Sequence, residues 1–233
     1  MLSKPAIKRF IFIFPLIFII FFILIRIIFF DVYKIIIYED NIIEYSQGLV
    51  YLLSSLLAFF IAYNFLKKKK YILFSVYFIF SFFFFFIAGE EISWGQRILN
   101  LEISDFFATR NTQHELTIHN LGTIQYYLHR IYFTVGFFGA FLWFFLLLLI
   151  PKKIIRTHRA VMDFFIPGRL LMLYFLPVAI VYSSFLFRGT VLSIEQYIVS
   201  FDQEPAELLL AIGFLLFLII NKYKQEQFLL KKG

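Results

Sequence analysis

Six windows of about 20 residues, nearly free of charge, dominate this 233-residue chain. They run over 10–30, 48–66, 71–88, 131–150, 167–187 and 205–220. A hydrocarbon core about 30 Å thick takes about 20 residues of helix to cross, and a lipid-embedded backbone must satisfy its own N–H and C=O groups. Barrel strands would alternate apolar and polar residues, whereas these windows are apolar on every face. The expectation is an all-α polytopic transmembrane helix bundle of about six spans, one integral membrane domain over 1–233. Composition agrees, since 61% apolar and only 16% charged residues leave too little polar surface to wrap a soluble globule or to keep a chain disordered. The absence of cysteine excludes a disulfide framework, a thiolate metal site and a cysteine nucleophile.

The net charge of +7 would suggest nucleic acid in a soluble chain, but here its distribution speaks of topology, and no nucleic-acid partner is expected. Sixteen basic residues fall at one set of window ends: Lys4, Lys8 and Arg9; Lys67 to Lys70; Lys152, Lys153, Arg156, Arg159 and Arg169; Lys222, Lys224, Lys231 and Lys232. Five fall at the other: Lys34, Arg97, Arg110, Arg130 and Arg188. The asymmetry places both termini in the cytoplasm, with a bacterial inner (plasma) membrane as the expected location. The first window is long for a secretory signal and has no small-residue cleavage site, so it is expected to stay. Arg26, one turn from that window's outer end, reads as a side chain snorkelling to the headgroups.

Polar residues concentrate in 89–130, GEEISWGQRILNLEISDFFATRNTQHELTIHNLGTIQYYLHR. The segment is too apolar in places for a free loop, so an interfacial or re-entrant external segment between spans three and four is expected. Glu90 and Glu91 close an outgoing helix at its negative dipole end, and the pair asks for a cation, either Arg97, Arg110, Arg130, Arg188 or a bound metal. Glu204 and Glu207, by contrast, open the last span at a positive dipole end and read as a helix start. Asn111 reads as an N-cap, with Glu115 and His119 four apart on the helix it would open, and Thr123, Tyr126 and Arg130 continuing that face. The two histidines of HELTIH are five apart, not the four that a zincin needs. Glu91, Glu115 and His119 form the candidate metal set, suited to zinc, iron or manganese. His114 and His129 read as interfacial side chains. Trp94, Gln96, Asn111, Gln113 and Asn120 add an indole and amides that either fix an irregular backbone or bind a polar substrate.

The strings GEEISWGQR, residues 89–97, and NTQHELTIHNL, residues 111–121, resemble a signature of uncharacterised bacterial multi-pass membrane proteins, GEExSWGQR followed by NxQxExxxHN. The resemblance implies that Glu90, Glu91, Trp94, Gln96, Arg97, Asn111, Gln113, Glu115, His119 and Asn120 form one constellation, and it implies no activity. A more distant likeness is to intramembrane glutamate proteases of the CAAX-processing type. There a Glu-Glu pair is followed by three residues and Arg; here five residues precede Arg97, and no later span carries a His motif.

Two functions fit these residues. One is an enzyme at the outer membrane surface, a hydrolase or transferase acting on a lipid or lipid-linked substrate. In it Glu90, Glu91 or Glu115 would be general base or metal ligand, His119 ligand or proton carrier, and Arg97 a clamp for phosphate or carboxylate. The other is a non-catalytic assembly subunit or carrier in which the same residues form a structural polar network. Transport is the weaker variant, since ionisable groups gather at one boundary rather than at mid-membrane.

Overall fold

The structure, a computed structural model, describes residues 5–38, 42–111, 115–187 and 202–230. Among these it is all-helical, with one isolated antiparallel bridge between Asn111 and Leu121 and no strand. Six helices are long and apolar enough to cross a membrane. They are built on α1 (Pro5–Ile28), α3 (Ile42–Lys67), α4 (Tyr71–Glu91), α7 (Gly122–Leu149), α9 (Met172–Leu186) and α10 (Glu204–Leu230). Four short helices join them: α2 (Phe30–Ile37), α5 (Gln96–Leu99), α6 (Asp105–Arg110) and α8 (Lys152–Met162). Several long helices outrun the apolar windows, because their polar ends remain helical beyond the stretch that composition marks.

Packing follows a simple scheme. The α3–α4 hairpin and the α7–α9 pair are each tightly packed, and α10 lies against both α3 and α9. In a lipid-facing bundle close packing and interhelical hydrogen bonds replace the hydrophobic drive that assembles soluble helices. Gly136 and Gly139 let α7 approach α9; a Cβ on Gly136 would sit 2.6 Å from the Ala179 backbone nitrogen, and one on Gly139 would meet the Phe175 ring. Between α3 and α4, Ser55 Oγ donates to the Ser81 carbonyl at 2.8 Å and Ser81 Oγ to the Ser55 carbonyl at 3.0 Å. Gln225 on α10 donates to the Ile61 carbonyl at 2.8 Å, and Asn221 to the Tyr77 hydroxyl at 2.8 Å. The outer faces carry bare apolar side chains such as Ile17, Ile72, Phe82 and Leu148.

The two ends of the bundle differ in charge. The start of α1, the α3–α4 turn, α8 and the end of α10 bring Lys8, Arg9, Lys67 to Lys70, Lys152, Lys153, Lys222 and Lys224 to one end. The opposite end collects Glu44, Glu90, Glu91, Glu115, Asp202, Glu204 and Glu207. Arg26 belongs to that acidic end and has a protein partner there: its guanidinium pairs with Asp202 at 3.0 Å, and Tyr33 donates to the same carboxylate at 2.5 Å. A charge near lipid is far less costly with such a partner than alone.

Proline inside α1 sets a further demand. Pro15 has no N–H, which leaves the Ile11 carbonyl without its helical donor. Tyr174 on α9 supplies one, its hydroxyl donating to Ile11 O at 2.8 Å in the buried interior. Tyr174→Phe should therefore cost about 1–3 kcal/mol by orphaning a buried carbonyl, measured by thermal unfolding in detergent. In a Pro15→Ala background the helix bond returns, and the same substitution should be close to neutral.

Candidate functional site

The doublet at the end of α4 is where the acidic end is organised. Helix geometry turns successive side chains by about 100°, so Glu90 and Glu91 serve different walls. Immediately after them the chain reverses through three successive left-handed residues, Ser93 (φ 47°), Trp94 (φ 52°) and Gly95 (φ 75°). Glycine accepts this conformation freely; Ser and Trp there cost of order 1–3 kcal/mol each unless their surroundings hold them. They are held. Trp94 Nε1 donates to Glu90 Oε1 at 2.6 Å, and Ser93 Oγ donates to Glu115 Oε2 at 2.9 Å. The indole lies flat against Gly89, where an added Cβ would approach it to 2.7 Å.

Glu90, only 4% exposed, is saturated with donors. Its Oε2 accepts the backbone N–H groups of Ile118 at 2.7 Å and His119 at 2.9 Å, and the His119 ring Nδ1 lies 3.2 Å away. An ionised carboxylate can only accept, so that ring carries its proton on Nδ1 and, in the neutral form, leaves Nε2 as an acceptor. Around this anchor the segment 115–121 is tied down by buried amides. Asn111 Nδ2 reaches the carbonyls of Glu115 and Thr117, both at 2.9 Å, and Gln96 Oε1 accepts from Leu116 N at 2.6 Å. Asn120 Nδ2 lies 3.5 Å from Glu115 Oε2.

Several expectations are corrected by this geometry. The described residues 115–121 are not helical; the Asn111 side chain donates to carbonyls there, and α7 begins only at Gly122. Glu115 and His119 therefore share no helical face, and each bonds to a different residue of the Glu90-to-Ser93 stretch. Among the described residues the partners of Glu90 are N–H donors. Arg110 and Arg130 stack on the rings of Phe106 and Tyr126, while the Arg97 side chain, Gln113, His114 and Arg188 lie outside the described residues. The metal set of Glu91, Glu115 and His119 is not assembled, and among the described residues no group of three His, Asp or Glu could hold a metal ion. The donors do not come together as a set, because Glu115 is taken up by Ser93 and Asn120.

Glu91 looks inward. Since α4 and α7 make few direct contacts, a gap between them forms an apolar chamber of about 180 Å³, walled by Phe83, Ile87, Ile131, Val135 and Phe214 and ended by Glu90, Glu91, His119 and Tyr132. A smaller polar chamber of about 110 Å³ adjoins it and shares Glu91, His119, Leu128 and Tyr132. Its remaining wall includes Glu44, Glu204, Glu207, Tyr182 and His129. The Tyr182 hydroxyl donates to Glu207, Gln47 Nε2 donates to Glu204 Oε2 at 2.9 Å, and the His129 ring stacks on Phe185. Glu204 and Glu207 are thus more than a helix start, since both line the polar chamber. The signal for them was present in the sequence as two pairs three residues apart, Glu44 with Gln47 and Glu204 with Glu207, each opening a span at the same end.

No known protein family, curated protein or solved structure matches this chain.

The geometry separates the doublet's roles. Glu90→Gln keeps the side chain's size but turns one oxygen into a donor that must face the indole or the two backbone N–H groups. The expected loss is about 1–3 kcal/mol for each donor left without an acceptor, read as a lower thermal midpoint and faster hydrogen exchange at Ile118 and His119. Glu91→Gln, which takes no donor from the loop among the described residues, should leave both readings near wild type.

Proposed function

We propose that this is a multi-pass membrane enzyme of the outer membrane surface, a hydrolase or transferase, whose substrate is a lipid or lipid-linked amphiphile. Its apolar chain lies between α4 and α7 and its polar end in the adjoining chamber. The observation that carries this reading is the position of His119 at the junction of the two chambers, with its ring held through Nδ1 by a buried carboxylate. A carboxylate that fixes the tautomer and orientation of an imidazole leaves Nε2 to take a proton from water or a substrate hydroxyl. His119 is the general base in this scheme and Glu90 its positioning residue. Glu91 and Tyr132, which border both chambers, would touch the reacting polar end. The carboxylates of the polar chamber favour a head that donates hydrogen bonds, such as a hydroxyl or an amine.

The same reading takes both termini as cytoplasmic, segment 93–121 as an interfacial external cap, and a bacterial plasma membrane as its setting; the excess of Lys and Arg at the opposite end supports it. The structural-network alternative applies to part of the constellation. Asn111, Gln96, Ser93 and Glu115 spend their hydrogen bonds on the loop itself, which makes them supports for the cap.

The test is turnover of membrane lipid. Proteoliposomes made from a bacterial lipid extract, incubated in heavy-oxygen water, should yield a new or labelled lipid product with the wild-type protein. His119→Asn should abolish it, and Val135→Trp, which fills the apolar chamber, should reduce it strongly while leaving the thermal midpoint near wild type. Identical lipid profiles with and without protein would remove the enzymatic reading.

A further inference from the structure

At the basic end of the bundle, far from the chambers, α8 links the end of α7 to the start of α9. Its sequence, KKIIRTHRAVM, divides sharply by helical position: Lys152, Lys153, Arg156 and Arg159 fall within one third of the wheel and Ile154, Ile155, Val161 and Met162 within the opposite third. Ile155 is buried against the bundle, but Ile154 is 50% exposed and Val161 43%. This bare flank continues the exposed surface at the end of α7, where Leu148 and Leu149 are 69% and 74% exposed. Behind α8 a groove of about 360 Å³ runs between α7 and the start of α9, walled by Trp143, Leu147 and Ile155, with Asp163 and Arg169 at its polar side. Asp163 is engaged by Lys224, at 3.8 Å between the charged groups and 3.3 Å to the Asp163 carbonyl. Arg169 is exposed and makes no ion pair with any described residue.

We infer that α8 and this groove form a binding site for an anionic phospholipid. The acyl chain would lie along Trp143 and Leu147, the phosphate at Arg169, and the basic face of α8 in the headgroup layer. Continuity of the bare apolar flank with the lipid-facing wall of α7 selects a lipid rather than a soluble partner. The sign of the charges selects an anionic one, because each basic side chain near an acidic membrane surface adds attraction that a zwitterionic surface does not supply. An indole at such a boundary is the usual anchor between acyl chain and headgroup. The inference uses no residue of the proposed enzymatic site and stands or falls apart from it.

Native mass spectrometry of the full chain in detergent, titrated with phosphatidylglycerol and with phosphatidylcholine of the same acyl chains, tests it. Phosphatidylglycerol should bind the more tightly. Arg169→Gln, and separately the double variant Lys152→Gln with Lys153→Gln, should each narrow that preference, by about five-fold per basic residue lost. Brominated phosphatidylglycerol should quench tryptophan fluorescence more strongly in the wild type than in Trp143→Phe, where only Trp94 remains. Equal affinity for the two lipids, a preference untouched by either set of variants, or full competition by glycerol phosphate would each overturn the inference, the last by assigning the groove to a soluble anion.

Discussion

A carboxylate buried where a membrane helix ends must find donors or become very costly, and Glu90 finds them in the chain that leaves its own helix. One oxygen takes the indole of Trp94, four residues on, and the other takes two consecutive backbone N–H groups from 28 and 29 residues on. This single group therefore holds the left-handed turn after α4, and through it fixes where the 115–121 loop must sit. Consecutive N–H groups converging on an anion are a strong arrangement, because both dipoles point at the same charge without any mobile side chain to be ordered. The strain of Ser93 and Trp94 in the left-handed region persists only because these bonds over-determine it.

The rest of the interior obeys the same demand on a smaller scale. Where the backbone or a side chain has polar capacity facing hydrocarbon, a residue from another helix meets it: Tyr174 for the carbonyl that Pro15 frees, Ser55 and Ser81 for each other's carbonyls, Gln225 for Ile61. Each such bond joins elements distant in sequence, so satisfying the backbone also specifies which helices are neighbours. Close approach at Gly136 and Gly139 completes the specification for α7 and α9.

The helices were legible because hydrocarbon imposes a length and an apolarity that a sequence cannot disguise; the six windows fall on six long helices, with ends displaced by as much as nine residues at the start of α7 and ten at the end of α10. The separation of charge between bundle ends was legible for the same reason. The joining of the Glu90 stretch to the His119 stretch was readable as a concentration of polar residues, but not its wiring. Glu115 with His119 on one face assumed a helix through 115–121, a stretch that is not helical and whose carbonyls take the Asn111 amide. Charge suggests countercharge for the Glu90-Glu91 pair, but a sequence does not display the backbone N–H groups of Ile118 and His119 that converge on Glu90. Glu207 was passed over because a dipole argument already explained it, and only the packing of α10 beside α9 brings it under the Tyr182 hydroxyl.

Adjacency explains why one doublet can both hold the cap and line the chambers. Two glutamates side by side on a helix point about 100° apart, so that both end the apolar chamber while Glu90 bonds to the cap and Glu91 alone continues into the polar chamber. His119 touches both settings: its backbone and Nδ1 belong to the cap that Glu90 holds, and its ring borders the two chambers. Loosening the cap therefore moves the imidazole and unseals the chambers in one step. Any motion that parts α4 from α7 at this end must work against the bonds at Glu90, because the segment they hold also borders the gap between the two helices.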